Sequence, residues 1–508
     1  MGWDEGRSRE RAEAKYRETE GLTVGETVRA TDLENTTLKN PRRIRAAHLY
    51  VDVPGYRLLL GDDPNEEMLR RSHLWAGEVS KIVESDFDAA KVHFQGPKLH
   101  ALAYRPIDDD EAMAVKAVLL GAAVRETVHV FNDVLDLEPE DAWNTAGGVD
   151  FGDALLTKDG VAGDRELLFL GNPANRAAKI VRDRGLRLTS EVADLLPDDL
   201  VDLLVETADE GIFSFRVAPE RLEELSAAHD FSWSREGSRS RLTKTADGCS
   251  ADAVTIYDAS VEIDKTKLGL SNSKRVEAVS LFADVDGFTA YIEDADTSGT
   301  LPEAVRSYHV IRSEMRNTAV ADFEALRIQY QGDRMQALAY LPIDDTDAGA
   351  MTAVRTAAAL NSVTAHVLPG IIGDAAKPIA IGLAAGTVLV SKLGQYGDRD
   401  VVSLGRSTAE AARIQEALDG GQIGINAELR GRLPDWRQKI FVWEQSPRAY
   451  VVKNLTFDEL DRLEASESST LAKGLLAGVA AGAAIGAGVA LVRSRREREE
   501  PPLRPWMC

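Results

Sequence analysis

Cysteine is almost absent from this chain of 508 residues, which has only Cys249 and Cys508, far apart in sequence. Such a pair builds neither a disulfide framework nor a metal knuckle, so a reducing cytoplasm is expected. The N-terminus opens into a charged, polar run with no apolar core, which predicts that there is no secretory signal. Basic residues are also scarce, because 60 Lys and Arg stand against 83 Asp and Glu, a formal net charge of −23. A broad nucleic-acid-binding surface is therefore excluded.

What the chain does contain is a long internal repeat. An apolar content of 44% and a length sufficient for two or three domains predict sizeable cores. Three pairs of segments match at offsets of 232, 236 and 234, and the second pair is identical at 10 of 16 positions. The matching segments are 48–56 with 280–288, 94–109 with 330–345, and 171–179 with 405–413. An offset this constant predicts two copies of one domain.

Each copy combines helices with short strands. Alanine-rich stretches with apolar residues at three- and four-residue steps predict helices over Ala112–Val130 and Ala348–His366. Short apolar runs between glycine and proline predict strands. These strands are Val92–Phe94, Ala101–Tyr104, Ile328–Tyr330 and Ala337–Tyr340. The fold class is therefore α+β, with helices packed over a mixed or antiparallel sheet.

Two acidic residues of the second copy stand at strand ends. The apolar run 279–283 reads as a buried strand that delivers Asp284 and then a Gly-Phe-Thr turn entering a helix. The short strand before Gly332 delivers Asp333. Two adjacent carboxylates repel one another unless cations lie between them, so we expect divalent ions bridging a nucleoside triphosphate. The alternative is that Asp284 caps a helix and Asp333 sits in a tight turn.

This pattern of Phe-Ala-Asp, Gly-Phe-Thr and a Gly-Asp hairpin resembles the class III nucleotidyl cyclases. The resemblance implies two tandem ferredoxin-like domains, each a sheet covered by helices, that form a pseudo-dimer with the active site between them. It implies that Asp284, Asp333 and the carbonyl of Val285 hold two Mn²⁺ or Mg²⁺ ions. Substrate contacts are implied for the turn residues Gly287, Phe288 and Thr289. In this family the ribose 3′-oxygen attacks the α-phosphate and diphosphate leaves.

The resemblance also shows that the copies have diverged unequally at the metal positions. The second copy has both aspartates, whereas the first has Asp52 and then Pro97, which cannot ligate through its side chain. The first copy is therefore expected to bind no ion pair.

The family's downstream helix places an asparagine on the ribose and an arginine on the transferring phosphate. The first copy has Asn175 and Lys179 at these positions, and the second has Ala409 and Arg413. One working site is thus predicted, in which the second copy's aspartates face Asn175 and Lys179. The other site, in which Asp52 faces Ala409 and Arg413, is expected to be degenerate. Lysine keeps the positive charge but loses the bidentate fork of arginine.

Base recognition departs from the purine-specific patterns of the family. At the base-reading positions the working site has His93 and Leu168, and leucine cannot accept from the exocyclic amine of adenine. The departure resembles the pyrimidine cyclases of Pycsar antiphage systems, which make cyclic UMP or cyclic CMP in bacterial defence. UTP is favoured over CTP because UTP lacks the amine that would need an acceptor. Arg216 lies near the position at which the family has a triphosphate-binding lysine, so a contact with the triphosphate is implied for it. His93 is equally open to interpretation as a hairpin histidine without a ligand role.

The predicted organisation has six parts. They are a polar lead-in at 1–40, a first cyclase-like domain at 41–231, a linker at 232–274 marked by its Ser, Arg and Gly content, a second cyclase domain at 275–465, an apolar helix at 471–492, and a basic tail at 493–508. The uncharged stretch 474–492 is just long enough to span a bilayer and has a glycine every fourth residue, which favours membrane anchoring or a glycine-zipper helix. We expect a cytoplasmic protein anchored to the inner membrane by this stretch.

The leading hypothesis is a cyclase that converts UTP to cyclic UMP and diphosphate. The alternatives are an adenylate or guanylate cyclase with an atypical base pocket, and a catalytically dead nucleotide-sensing scaffold. Pairing of the copies within one chain is permitted by the long linker, with a homodimer left open.

Overall fold

The computed structural model describes residues 2–29, 36–54, 56, 64–159, 166–182, 184–250, 253–395 and 398–467. The chain forms one compact unit over Met1–Phe457 and a second over Asp458–Cys508, and the described part of the second, 458–467, is helical. The apolar helix predicted at 471–492 and the basic tail lie outside the described residues. Among the helices that are described, none combines the length and the apolar character that a bilayer span requires.

The first half of the chain forms a nine-stranded mixed sheet. The strand order is β3-β4-β2-β5-β7-β9-β8, with β1 beside β2 and β6 beside β5. Strands β5 and β7 are parallel, whereas β2 is antiparallel to both of its long neighbours, β4 and β5. The strands are β1 (Gly25–Glu26), β2 (Arg42–Asp52), β3 (Ala90–Gln95), β4 (Lys98–Ala103), β5 (Ala146–Asp159), β6 (Glu166–Leu170), β7 (Gly185–Thr189), β8 (Leu204–Glu206) and β9 (Ile212–Phe215).

The second half repeats this sheet strand for strand. Its order is β12-β13-β11-β14-β16-β18-β17, with β10 beside β11 and β15 beside β14. The strands are β10 (Ile256–Asp258), β11 (Ser273–Val285), β12 (Leu326–Gln331), β13 (Arg334–Ala339), β14 (Ile379–Gln395), β15 (Asp398–Leu404), β16 (Gln422–Ile425), β17 (Val442–Glu444) and β18 (Ala449–Lys453). The two-copy α+β fold predicted from the repeat is therefore confirmed.

Helices cover the sheets. They are α1 (Glu5–Glu18), α2 (Glu66–Lys81), α3 (Asp110–Val134), α4 (Asn172–Lys179), α5 (Ser190–Ala193), α6 (Asp198–Val201), α7 (Pro219–Ala228), α8 (Arg235–Gly248), α9 (Phe288–Ser298), α10 (Leu301–Arg316), α11 (Thr346–Ser362), α12 (Pro369–Ile372), α13 (Arg406–Glu416), α14 (Ala427–Arg432) and α15 (Asp435–Ile440). Single π turns extend α2, α10 and α11. Both alanine-rich segments predicted as helices lie in α3 and in α11 with its π turn.

A glycine in the middle strand of each sheet lets one helix approach closely. A Cβ at Gly148 would lie 2.2 Å from the carbonyl oxygen of Ala177, in α4. A Cβ at Gly382 would lie 2.2 Å from the carbonyl oxygen of Ala411, in α13. Any other residue would push these helices off the sheet. The two glycines therefore set the distance from the sheet of the helices that carry Asn175 and its counterpart Ala409.

The halves share a core and are joined by polar contacts. Leu389, Leu393 and Leu404 of the second half belong to the same buried cluster as the core of the first half. The Asp400 carboxylate accepts from the Lys91 ammonium at 2.8 Å. Pairing of the two copies within one chain, which the sequence left open, is thus what the structure shows.

The described residues of the segments predicted as lead-in and linker pack against the two halves. Helix α1 lies on the second half, where Arg11 forms ion pairs with Glu314 at 2.5 Å and Asp322 at 2.8 Å. Within 232–274, α8 lies on the first half, where Arg241 pairs with Glu78 at 2.7 Å. Strand β10, in the same stretch, pairs with β11 of the second sheet.

Candidate active site at the junction of the two halves

A cavity of about 790 Å³ opens where the first half meets the second. The first half contributes β3, β4, β6 and α4, and the second contributes the end of β11, the start of α9 and the β12–β13 hairpin. Ten of the eleven site residues predicted from the sequence line this cavity. They are His93, Leu168, Asn175, Lys179, Asp284, Val285, Gly287, Phe288, Thr289 and Asp333.

Two carboxylates of the second half lie on one wall of the cavity. Asp284 is the penultimate residue of β11, which lies between β13 and β14, and it pairs with Ala380 of β14. Asp333 lies in the two-residue turn between β12 and β13, where Gly332 adopts a φ of 65° that favours glycine. Since β13 is the hydrogen-bonded neighbour of β11, the hairpin brings Asp333 next to Asp284.

The acidic pair is partly buried and is only partly compensated by the described residues around it. Burial raises the pKa of both carboxyl groups, and for Asp333 the nearby Asp284 raises the pKa further. Gln415 donates to Asp284 at 3.4 Å, whereas the Asp333 carboxylate accepts no hydrogen bond from a described side chain. Arg334 lowers both pKa values, but its guanidinium is paired with Glu416 at 3.2 Å.

This arrangement fits divalent cations, for which carboxylate and carbonyl oxygens are the preferred ligands. The carboxylates of Asp284 and Asp333 would hold them, together with the backbone carbonyl of Val285. No group of three or more His, Cys, Asp or Glu side chains suited to a metal occurs among the described residues. The substrate's phosphate oxygens would therefore have to complete the coordination.

The start of α9 borders the acidic wall and offers backbone amides. Gly287 immediately precedes the helix with a φ of 68°, a conformation that side-chain-bearing residues rarely adopt. Phe288 is buried against Tyr308, with ring centroids 5.4 Å apart, which holds the first turn in place. The unpaired amides of such a helix start, with its positive dipole end, are suited to phosphate.

Asn175 reaches across the junction from the first half. Its Nδ2 donates to the Thr289 Oγ1 at 2.6 Å, so a side chain of α4 meets a side chain of α9. Lys179, one turn further along α4, is exposed and also lines the cavity. The first half therefore places one amide and one cation opposite the acidic wall of the second.

Arg216, the eleventh predicted residue, is not brought to this site. It follows β9, its side chain is exposed, and it is not among the residues that line the cavity. The reason is geometric: β9 lies beyond β7, on the far side of the sheet from the β3–β4 hairpin. The expectation that Arg216 contacts the triphosphate finds no support in this geometry.

The end of the cavity that was predicted to bind the base, called the base end, is formed by the first half. His93 and His100 face each other across β3 and β4, with Tyr50 stacked on His100 at 4.2 Å between ring centroids. Burial lowers the pKa of His93 to about 3, with Lys91 and Lys98 adding to the effect. His93 is therefore a neutral imidazole at physiological pH.

Several residues that line this site were not predicted from the sequence, and four of them have side chains suited to binding. Tyr50, Lys98 and His100 of the first half line the cavity, as does Arg334 of the second. The repeat contained the signal, because His100 and Lys98 align with Gln336 and Arg334 at the offset of 236.

A second cavity of about 520 Å³ lies where the degenerate site was predicted. Asp52, Pro97 and Ala409 line it, as expected from the repeat. Arg413 does not, because its guanidinium donates to the carbonyl oxygen of Pro447 at 2.5 Å. The expectation that Arg413 faces Asp52 is therefore wrong.

Comparisons with known proteins agree with this arrangement. No protein-family model matches the chain. A uridylate cyclase of Pseudomonas aeruginosa is 29% identical over 450 residues, which cover 83% of this chain and 84% of the relative. A uridylate cyclase of a Rhizobium species is 24% identical over 424 residues, which cover 78% of this chain and 80% of the relative.

A crystal structure is similar over nearly the whole chain. It is that of a class III adenylyl cyclase-like ATP-binding protein from Pseudomonas aeruginosa, with a TM-score of 0.76 and 26% identity. The match covers 91% of this chain and 100% of that chain. Through both of its halves, this chain resembles the class III nucleotidyl cyclases, with uridylate cyclases among its relatives.

Proposed function

We propose that the protein is a uridylate cyclase, which converts UTP to 3′,5′-cyclic UMP and diphosphate in the cavity between its halves. The observation that carries this proposal is the hydrogen bond from Asn175 to Thr289. It joins the half that has an asparagine and a cation to the half that has both carboxylates, around one cavity. Neither half holds the whole set, so the site is complete only at their junction.

The reaction joins the ribose 3′-oxygen to the α-phosphorus, breaks the α–β phosphoanhydride bond, and releases the proton of the 3′-hydroxyl group to solvent. Two divalent cations held by Asp284 and Asp333 would neutralise the triphosphate and the developing charge on the leaving diphosphate. The amides at the start of α9 bind phosphate oxygens. Asn175 orients the ribose, and Lys179 stabilises negative charge on the transferring phosphoryl group.

The chemistry of His93 supports uracil as the base. A hydrogen bond from the Gln95 amide nitrogen to the His93 Nε2, at 2.8 Å, makes Nε2 the acceptor. Because the ring is neutral, its one proton then lies on Nδ1. An N–H donor suits the carbonyl oxygen at C4 of uracil and does not suit the exocyclic amine that cytosine has at the same position. Leu168, which is buried, offers no acceptor to such an amine.

The test is a product assay with the purified full-length chain. UTP, CTP, ATP and GTP are incubated separately with Mn²⁺ or Mg²⁺, and any cyclic product is identified by mass spectrometry. We expect cyclic UMP as the main product and none from Asp333→Asn. A main product other than cyclic UMP would refute the choice of base. Equal product from the wild-type chain and from Asp333→Asn would refute the site.

A purine substrate is the second candidate, and one observation favours it. The similar crystal structure is described as that of an ATP-binding protein. Binding of ATP without turnover would leave the cavity as a nucleotide sensor, so the ATP arm of the assay includes a binding measurement. A sensor of this kind would signal equally well with Asp333→Asn.

The biological setting is proposed from the resemblance alone. Cyclic UMP would serve as an alarm signal in bacterial antiphage defence, as in the Pycsar systems. Anchoring to the inner membrane through 474–492 stays a prediction, because that stretch lies outside the described residues. Membrane fractionation of the full chain against a chain truncated after residue 467 tests it.

A further inference from the structure

One buried tyrosine joins two parts of the candidate active site without lining its cavity. Tyr308 lies on α10, is 1% exposed, and is not among the residues that surround the cavity. Its ring packs against Phe288, the first residue of α9, with ring centroids 5.4 Å apart. Its hydroxyl group donates to the carbonyl oxygen of Gly332 at 2.7 Å. The same side chain therefore contacts the helix start that is suited to phosphate and the turn that carries Asp333.

The Gly332–Asp333 peptide links this hydroxyl group to the acidic pair. The carbonyl of Gly332 and the N–H of Asp333 belong to one planar peptide unit, so fixing the direction of the carbonyl also fixes the direction of the N–H. Burial and the nearby Asp284 raise the pKa of Asp333, whereas a hydrogen bond from its own backbone N–H to the carboxylate lowers that pKa. Tyr308 therefore acts on the Asp333 carboxylate through a single peptide unit.

The turn between β12 and β13 needs such a contact to keep its place. The charges of Asp284 and Asp333 repel one another while no cation lies between them. A Cβ built at Gly332 would meet no atom of the described residues within 4 Å, so open space lies beside the turn. Glycine also has the widest conformational freedom of any residue. We therefore expect this turn to tilt away from β11 unless a contact from outside the hairpin holds it.

Arg312 fixes the direction in which the Tyr308 hydroxyl group donates. Its Nη1 donates to the Tyr308 Oη at 3.4 Å, and its guanidinium carbon lies 3.7 Å from the centroid of the Tyr330 ring. The hydroxyl group of Tyr330 in turn donates to the Arg312 carbonyl oxygen at 3.0 Å. An arginine side chain can only donate, and a hydroxyl group has one proton, so the proton of Tyr308 is left for the Gly332 carbonyl.

The first half holds its corresponding turn in a similar way, although that turn has proline in place of the carboxylate. Trp75 of α2 is 1% exposed, and its Nε1 donates to the carbonyl oxygen of Pro97 at 3.2 Å. Pro97 aligns with Asp333 under the repeat and has no backbone N–H. An aromatic donor on the helix before the hairpin is therefore present in both halves, whereas its link to a carboxylate exists only in the second.

We propose that Tyr308 is a positioning residue for the cation site, whose hydroxyl group holds the Asp333 carboxylate beside Asp284 through the Gly332–Asp333 peptide. This rests on the proposed function, because it concerns the cations of that reaction. Replacing a group that orients a metal ligand without touching the metal typically lowers metal affinity or activity by roughly 10- to 100-fold. Removal of the hydroxyl group should therefore weaken cation binding, and an excess of cation should restore the reaction.

The test variant is Tyr308→Phe, which removes the hydroxyl group and keeps the ring against Phe288. Binding of Mn²⁺ alone to the full chain is followed by electron paramagnetic resonance, and the binding that Asp333→Asn removes defines the site. We expect Tyr308→Phe to weaken this binding by about tenfold and to raise the Mn²⁺ concentration for half-maximal cyclase activity by a similar factor. At saturating Mn²⁺, kcat should return to the wild-type value.

The control variant is Trp75→Phe, which removes the corresponding donor in the first half and should leave Mn²⁺ binding unchanged. Circular dichroism and melting temperatures in EDTA check the fold of both variants. Equal weakening of Mn²⁺ binding by both variants would overturn the proposal. A kcat of Tyr308→Phe that stays low at every Mn²⁺ concentration would do so as well, because cations do not relieve a general loosening of the fold.

The binding measurement needs no turnover, so it separates this proposal from the proposed function. Mn²⁺ binding that is unchanged in Tyr308→Phe, in a chain that makes cyclic UMP, overturns this proposal alone. Mn²⁺ binding that is weakened in Tyr308→Phe, in a chain whose wild type makes no cyclic nucleotide, overturns the proposed function alone.

Discussion

His48 should make the protein less stable in mild acid, and the size of the effect follows from its surroundings. It lies on β2 behind the base end of the active-site cavity, is 0% exposed, and places its Nδ1 3.2 Å from the His100 Nε2. Burial lowers its pKa from 6.5 to about 3. The unfolded chain therefore binds a proton at His48 between these two pH values, and the folded chain does not.

The contribution of a neutral buried histidine to the free energy of unfolding is fully present above pH 6.5. It is lost progressively as the pH falls toward 3. At pH 5.5, about one unit below the unfolded pKa, the loss due to His48 is about 1.4 kcal/mol, and at pH 7.5 it is about 0.1 kcal/mol. His48→Asn keeps a polar group near the Nδ1 position and removes the titration. Any lost contact lowers the free energy of unfolding of the variant equally at both pH values.

The assay is urea unfolding of both proteins at pH 7.5 and pH 5.5, followed by near-ultraviolet circular dichroism. Between the two pH values, the difference in free energy of unfolding should shift by about 1.3 kcal/mol in favour of His48→Asn. His129→Asn is the matched control, because it makes the same substitution at a histidine that is exposed on α3. The same difference at both pH values for His48→Asn would refute the inference that the ring is held neutral by burial.

Three further changes test the site and the assembly. Asp333→Asn should abolish product in the product assay. It should not lower the melting temperature of the metal-free protein, measured by calorimetry in EDTA, because it removes repulsion within the acidic pair. Asn175→Ala should lower kcat by about 100-fold, in steady-state assays, while the fold detected by circular dichroism is unchanged. Arg11→Ala should cost about 3 kcal/mol in urea unfolding, because Glu314 is only 1% exposed and loses its partner, whereas the exposed Arg17→Ala should cost almost nothing.

The sequence was sufficient to predict the fold and the pairing of complementary residues. Identity at 10 of 16 positions across one pair of segments required two similar domains, and nine strands in the same order are found in each. The opposite placement of Asn175 and Asp333 on the two copies predicted a site at their junction. Such patterns can be recognised in the sequence alone, because they depend only on which residues are present at the repeated positions.

Contacts between distant segments could not be predicted. The close approach of α4 at Gly148 depends on a helix and a strand about 30 residues apart, and glycine alone does not say what approaches it. Arg413 aligns with Lys179, yet its guanidinium reaches Pro447, in a turn of the second half. Alignment assigns a position on the backbone, whereas the partner of a long side chain depends on what packs nearby.

The unequal divergence of the two cavities has an electrostatic consequence. Lys98, Arg334 and Glu416 line both cavities, so a change of charge in one cavity alters the electrostatic potential in the other. Two complete metal sites would bring two pairs of carboxylates and two triphosphates to the same hairpins, and like charges held close together disfavour one another. Pro97 in place of the second carboxylate removes this conflict and leaves the second cavity with balanced charge. The loss of catalytic groups from one cavity is therefore compatible with the proposed reaction in the other.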